Sequence, residues 1–230
     1  MAYAALRGLV RRCGPVAAGY LVGLVVVALA GRAAAEEAGF ETMFDGKSLA
    51  GWKASENVDS WKVVDGAIVC HGPRSHLFYV GGDAAKPAEF KNFHFKTEVM
   101  TKPNSNSGVF FHTRFQPEGW PEQGYEMQVN NSFARDPVRT GSIYHYVKNF
   151  NAPAQDDTWY TQELIVNGPS MTVIVNGNKL FEYVEPPGAT GAAPGQAKGS
   201  HKLSSGTFAL QAHDPESQVH FKNIRVKRLP

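Results

Sequence analysis

The sequence predicts an all-β protein, a two-sheet sandwich or jelly roll, from three observations. Helical periodicity is missing almost throughout. Short runs rich in Val, Ile, Phe, Tyr and Thr recur between clusters of Gly, Asn, Asp and Pro. Two of the intervening turns, Asp65-Gly66 and Asn176-Gly177, supply the positive φ that a two-residue hairpin requires.

In chain order, residues 1–35 come first. Arg7, Arg11 and Arg12 precede an apolar run from Val16 to Ala30 and the small triplet Ala33, Ala34, Ala35, the pattern of a signal peptide cut after Ala35. The run is shorter than the ~20 residues of a spanning helix. Residues 36–230 then form one domain. The hairpin "SWKVVDGAIVCHG" is followed by strands in "FKNFHFKTEVMTK", "SGVFFHTRF", "GYEMQVN", "TGSIYHYV" and "WYTQELIVNG". The second hairpin is "MTVIVNGNKLFEYVE", and "GTFALQAHD" and "QVHFKNIRVKRL" close the chain. That is roughly ten to twelve strands, the number a two-sheet sandwich uses. The connection at 186–205, rich in Gly, Ala and Pro, reads as a surface loop.

Composition narrows the function. The leader holds four of the 23 Lys and Arg and none of the 21 Asp and Glu, which leaves 19 against 21, a net charge of −2 for the mature chain. A near-neutral chain without a basic cluster gives no electrostatic reason to bind nucleic acid or an anionic membrane. Cys70 is the one cysteine after the leader, so no internal disulfide forms, and it reads as a packed thiol. His71 and His76 bracket "GPRS" and read as loop residues, and Asp156-Asp157 as a solvated turn.

Side-chain alternation gathers polar residues on one face of several strands. Glu126, Gln128 and Asn130 share a face, as do His112 and Arg114 with Phe110, Tyr144 with Ser142 and Tyr146, and Gln211 with His213. Amides, aromatics and a few ionisable groups together suit a neutral polyhydroxylated ligand, a sugar. Many sandwich-fold glucanases place their carboxylates as E-x-D-x-x-E on one strand. Here that spacing reads Glu126, Gln128, Asn131, so only the first carboxylate remains. Double displacement at an anomeric carbon needs two. Asp136, Asp214 and Glu216 lie in turn-like segments and read as solvated. One carboxylate with two histidines suits proton transfer instead.

The ordered set "MFDGKSLAGWK", "NSGVFFHTR", "GYEMQV", "TGSIY", "VNGNKLFEY" and "GTFALQAHDPESQVHFKNIRV" resembles the 3-keto-disaccharide hydrolase domain family, from about Phe40 to Leu229. The resemblance implies a concanavalin A-like jelly roll in exported bacterial proteins, periplasmic or extracellular, that act on glycosides oxidised at C3. In that chemistry Glu126 would abstract the C2 proton and His213 or His112 would protonate the departing oxygen. Arg114, Gln128 or Tyr144 would steady the enolate oxygen, with Asn130 and Gln211 as further substrate contacts. No cofactor is required by the sequence; a divalent cation on Glu126 and a histidine would serve the enolate, although no spacing demands a metal. "FFHTR" departs from the family by placing His112 where an arginine is expected. Asp45 and Trp52 in the first motif read as a tight turn with a packed indole. The rival from another class is a non-catalytic carbohydrate-binding module using the same face.

Overall fold

The computed structural model describes residues 37–82, 88–191 and 201–230. The expected signal peptide at 1–35 lies outside the described residues, as does 192–200 of the long connection. Thirteen strands are described: β1 Glu41–Thr42, β2 Trp52–Ala54, β3 Trp61–Val64, β4 Ala67–His71, β5 Ser75–Tyr79, β6 Phe93–Thr101, β7 Ser107–Thr113, β8 Tyr125–Val129, β9 Tyr160–Asn167, β10 Ser170–Val175, β11 Asn178–Val184, β12 Thr207–Ala212 and β13 Gln218–Arg228. All pairings are antiparallel. One sheet runs β11-β10-β9-β6-β13-β4-β3 with β1 added on β13, and the other runs β2-β5-β12-β7-β8.

Both expected hairpins form where the residue types demand them. Asp65 and Gly66 turn between β3 and β4 with φ of 50° and 76°, and Asn176 and Gly177 between β10 and β11 with φ of 49° and 75°. β6 and β13 alternate buried and half-buried residues and sit side by side in the larger sheet. Their inward residues Phe93, Phe95, Val99, Val219, Phe221 and Val226 meet Val109, Phe111, Met127, Phe208 and Leu210 of the smaller sheet in one core. Burying side chains of this size contributes roughly 1.5–3 kcal/mol each, and this is where the stability of the fold resides.

The smaller sheet is covered on its other face too. Phe78, Phe110 and Ala209 are buried there in a separate apolar cluster. The loop after β7 returns over it, packing Phe115 on Phe78 with ring centroids 5.3 Å apart. Two expectations change. "TGSIYHYV" is not a regular strand but a turn-rich segment on the free edge of β8, where Tyr144 N donates to Glu126 O at 2.9 Å and Gly141 N to Gln128 O at 3.0 Å. His76 is no loop residue: it lies in β5, fully buried, directly across from Gln211.

Candidate active site

The outer face of the smaller sheet carries the polar residues that alternation picked out. β7 and β8 pair with Gly108 opposite Gln128 and Phe110 opposite Glu126. The Glu126 side chain lies across the bare backbone of Gly108: a Cβ there would sit 2.1 Å from Oε1 and 2.8 Å from Cδ. From the next strand, β12, the Gln211 amide donates to Glu126 Oε1 at 3.0 Å. Protein surrounds the carboxyl except where a pocket reaches it, and burial raises its pKa to about 8, against the donated hydrogen bond and with help from the negative charge of Asp136. A carboxyl this basic titrates near neutral pH, where a general base is most effective.

The pocket above Glu126 encloses about 290 Å³. His213, just past β12, forms one wall, with its Nδ1 2.7 Å from Asp214 Oδ2. Burial alone would raise the Asp214 pKa, but hydrogen bonds from His213, Ser217 and the backbone N–H groups of Glu216 and Ser217 outweigh it, and the carboxyl stays below its usual range. Asp214 is therefore ionised and accepts the hydrogen bond from His213 Nδ1, leaving Nε2 for a ligand. The His213 ring packs against Trp120 at 5.3 Å and Phe133 at 5.5 Å. Tyr144, His145 and Tyr146 of the turn-rich segment close the opposite side. Three amide oxygens of pocket-lining residues, Asn106 Oδ1, Gln128 Oε1 and Gln211 Oε1, are buried without a hydrogen-bond partner. Leaving such an acceptor unpaired costs about 1–3 kcal/mol, which a ligand bearing hydroxyl donors would recover.

Of the residues singled out from sequence, the fold brings Glu126, Gln128, Tyr144, Gln211 and His213 to this pocket. Tyr144 is tied to Asp136, to which its hydroxyl donates at 2.7 Å; burial first, and this bond second, raise its pKa. Three residues do not arrive. His112 has φ 54° and sits at a register shift, where Thr207 pairs with Thr113 and Phe208 with Phe111. The bulge turns its ring out of the alternation and into the structure, with Nε2 2.9 Å from Lys91 O and Nδ1 accepting from Ser204 N at 3.2 Å. Both nitrogens serve backbone groups, so His112 is a structural residue. Arg114 follows the bulge and projects outward, 59% exposed and 3.6 Å from Glu89. Asn130 is fully buried, donating to the Asp136 and Val138 carbonyls and accepting from Phe133 N and Arg139 Nη1.

Sequence reasoning missed Gly108, Asp214 and Trp120. Asp214 is not solvated, its side chain being 16% exposed. Trp120 stands at the pocket edge on a loop without periodicity. Across from Gln211 on the same face, His76 packs edge-on against Phe110 at 5.3 Å and Trp120 at 5.5 Å. Burial first, then the nearby Arg74 charge, lowers its pKa to about 3, so it is neutral. Asp45 and Trp52 are structural: Asp45 accepts from Lys47 N and Ser48 N, and the Trp52 indole donates to Met43 O at 2.8 Å. Cys70 is a packed thiol, its pKa pushed to about 12 by burial. Asp156 anchors rather than solvates its turn, accepting from Thr101 Oγ1 at 2.6 Å.

Among the described residues no three His, Cys, Asp or Glu side chains are grouped to hold a metal ion. Glu126 is the one carboxylate among the described residues lining the pocket. No helix among the described residues is long and apolar enough to cross a membrane.

Solved structures share this fold. A "putative glycosyl hydrolase" from Parabacteroides distasonis aligns over 84% of this chain and 94% of its own, with 24% identity and a TM-score of 0.69. The carbohydrate-binding module CBM66 from Bacillus subtilis aligns over 77% of this chain and 96% of its own, with 12% identity and a TM-score of 0.52. At these identities the likeness is one of fold. A "3-keto-disaccharide hydrolase" from Bacteroides thetaiotaomicron is 35% identical over 78 residues, 32% of this chain and 27% of that protein's length. The model of the 3-keto-α-glucoside-1,2-lyase-like domain matches residues 39–227, and the chain belongs to that family.

Proposed function

We propose that the pocket cleaves glycosides whose glucose unit carries a ketone at C3, by acid-base chemistry centred on Glu126. The observation that carries this reading is a carboxyl raised to about pKa 8 in the same pocket as an Asp-supported histidine. The C3 ketone acidifies the C2 hydrogen. Glu126 as carboxylate takes that proton, and the C–H electron pair moves into a C2–C3 enolate. The enolate collapses to restore the ketone and form a C1–C2 double bond while the C1–O bond breaks. His213 gives its proton to the departing oxygen. Water then adds across the double bond: its oxygen goes to C1, its proton to His213, and Glu126 returns its proton to C2. The net reaction is hydrolysis, with both residues back in their starting states.

The rest of the strand supports this route over double displacement. Gln128 and Asn131 hold the positions where glucanases have carboxylates, and the Asn131 amide is committed to Thr101 and Thr140. No second carboxylate on β8 flanks a scissile bond. The unpaired amide oxygens suit the sugar hydroxyls. With residues 1–35 read as a signal peptide, the reaction takes place in the periplasm or outside the cell.

Incubation with methyl 3-keto-glucoside, followed by sugar analysis, tests the reading. Release of methanol that is lost in Glu126→Gln supports it, and undiminished release in that variant sinks the mechanism. Sugar binding without turnover in the wild type would make the domain a binding module.

A further inference from the structure

An enolate formed over Glu126 carries its charge on the C3 oxygen, and a site that forms it needs a hydrogen-bond donor aimed at that atom. Most donors of the pocket are already engaged. The hydroxyls of Tyr125, Tyr144 and Tyr146 donate to Glu185 at 2.6 Å, to Asp136 at 2.7 Å and to His201 O at 3.1 Å. The Gln211 amide donates to Glu126 itself, and Arg114 lies outside the pocket. Asn106 differs from these. It lines the pocket and is 3% exposed, and its Oδ1 is buried without a partner. Among the described residues its side-chain N–H groups make no hydrogen bond either; the residue is held through its backbone N, which donates to Ser217 Oγ at 2.9 Å. An amide left unpaired at this depth is costly unless a ligand completes it.

Its position follows from the register. Val109 pairs with Leu210, so three residues further along the two antiparallel strands Asn106 comes beside His213. The main pocket and a neighbouring hollow lined by Phe133, Arg135, Asp136 and Asp214 share two residues, these same two, which form the partition between them. One chain of hydrogen bonds fixes both: Asn106 N to Ser217 Oγ, Ser217 Oγ to Asp214 Oδ2 at 3.0 Å, and Asp214 Oδ2 to His213 Nδ1. The Glu126 carboxyl lies one same-face step away, over Gly108 and against Gln211.

We infer that Asn106 is a catalytic residue, the N–H donor that binds the C3 oxygen as it becomes the enolate. The inference rests on the reading of the pocket as the site of a 3-keto sugar. The oxygens on C1 and C3 of a pyranose flank C2 and stand about 4–5 Å apart, close to the spacing of opposite side chains on paired strands. With the C1 oxygen at His213, the C3 oxygen falls at Asn106 and C2 faces Glu126 between them. When Glu126 removes the C2 proton, the C–H electron pair becomes the C2–C3 double bond and the former C=O pair settles on oxygen. The Asn106 amide keeps its own protons and shares one with that oxygen. A neutral amide suits this task, because its hydrogen bond to the ketone is ordinary and strengthens only as charge develops.

The test separates enolate formation from loss of the C1 group. A 3-keto C-glucoside, joined to its C1 substituent through carbon, forms the enolate without expelling that group, and exchange of its C2 hydrogen in D2O is followed by NMR. Methyl 3-keto-glucoside reports the whole reaction. In Asn106→Leu, which keeps the side-chain volume and removes an unpaired buried acceptor, both exchange and kcat should fall by about 10²–10³-fold, with KM changed by less than threefold and the thermal midpoint held. Asn106→Ala should give the same losses with a cavity in place of the side chain. Exchange within threefold of wild type in both variants overturns the assignment. So does slowed methanol release with unchanged exchange, because a residue that acts on the departing oxygen through His213 gives that pattern. In those cases wild-type turnover stands and the role of Asn106 alone is lost, whereas a wild type with neither exchange nor turnover removes the proposed function and this assignment together.

Discussion

Replacing Glu126 by glutamine should stabilise the protein, by an amount that grows with pH. The carboxyl has a pKa of about 8 in the fold and an ordinary value of 4.5 in the unfolded chain. A raised acid pKa means that the folded state holds the proton more tightly, so the fold gives up stability as the pH climbs from 4.5 to 8, and the penalty is constant above that. Worked through the linkage relation, the penalty is about 1 kcal/mol at pH 5, about 3 at pH 7 and 4–5 at pH 9. Solvent entering through the pocket screens the charge and reduces these values, so a gain of about 2–4 kcal/mol at pH 9 is expected for the neutral isostere. Urea unfolding of wild type and Glu126→Gln at pH 5, 7 and 9 measures it. A stability difference that stays flat from pH 5 to 9 would refute the claim that burial holds this carboxyl protonated at neutral pH.

Three further outcomes follow from the same geometry. Gly108→Ala places a methyl group 2.1 Å from Glu126 Oε1, so the carboxyl must move; turnover of a 3-keto-glucoside should fall by about 10²-fold, and turnover within threefold of wild type would detach catalysis from that position. Gln211→Leu removes the hydrogen bond that lowers the Glu126 pKa; the acid limb of the kcat/KM profile, set near pH 8 by this group, should move to higher pH, and a shift to lower pH would contradict the assignment. Asp214→Asn presents an amide donor to His213 Nδ1, reversing the tautomer; kcat should drop by about 10²-fold or more with the thermal midpoint little changed, since the retained Oδ1 still accepts from Glu216 N and Ser217 N.

The parts of the fold that were legible in the sequence are those fixed by local backbone chemistry. Asp65-Gly66 and Asn176-Gly177 have few alternatives to tight turns, and β6, β9, β10 and β13 follow from alternation against a buried face. The short strands β1, β2 and β5 were not legible. β5 is buried along most of its length and shows no alternation to read. For the site, alternation found Glu126, Gln128, Gln211 and His213 because β8 and β12 are extended up to those residues. It failed at His112, where a bulge with φ 54° breaks the period, and carried the error on to Arg114. It failed at Asn130, one residue past the end of β8, where the chain is already turning. Trp120 and Asp214 lie in loops, and their placement depends on tertiary partners, Glu56 and Gln116 for the first loop and His213 and Ser217 for Asp214.

The hollow over Gly108 bears on grafting. Moving Glu126 onto another antiparallel sheet by copying β8 alone would fail, because the carboxylate needs an empty position on the adjoining strand, diagonal to its own. The smallest transferable unit is a two-strand module in which one strand supplies the acid and the other supplies a missing side chain. A comparison of such sheets that scores only reactive residues would overlook half of that module.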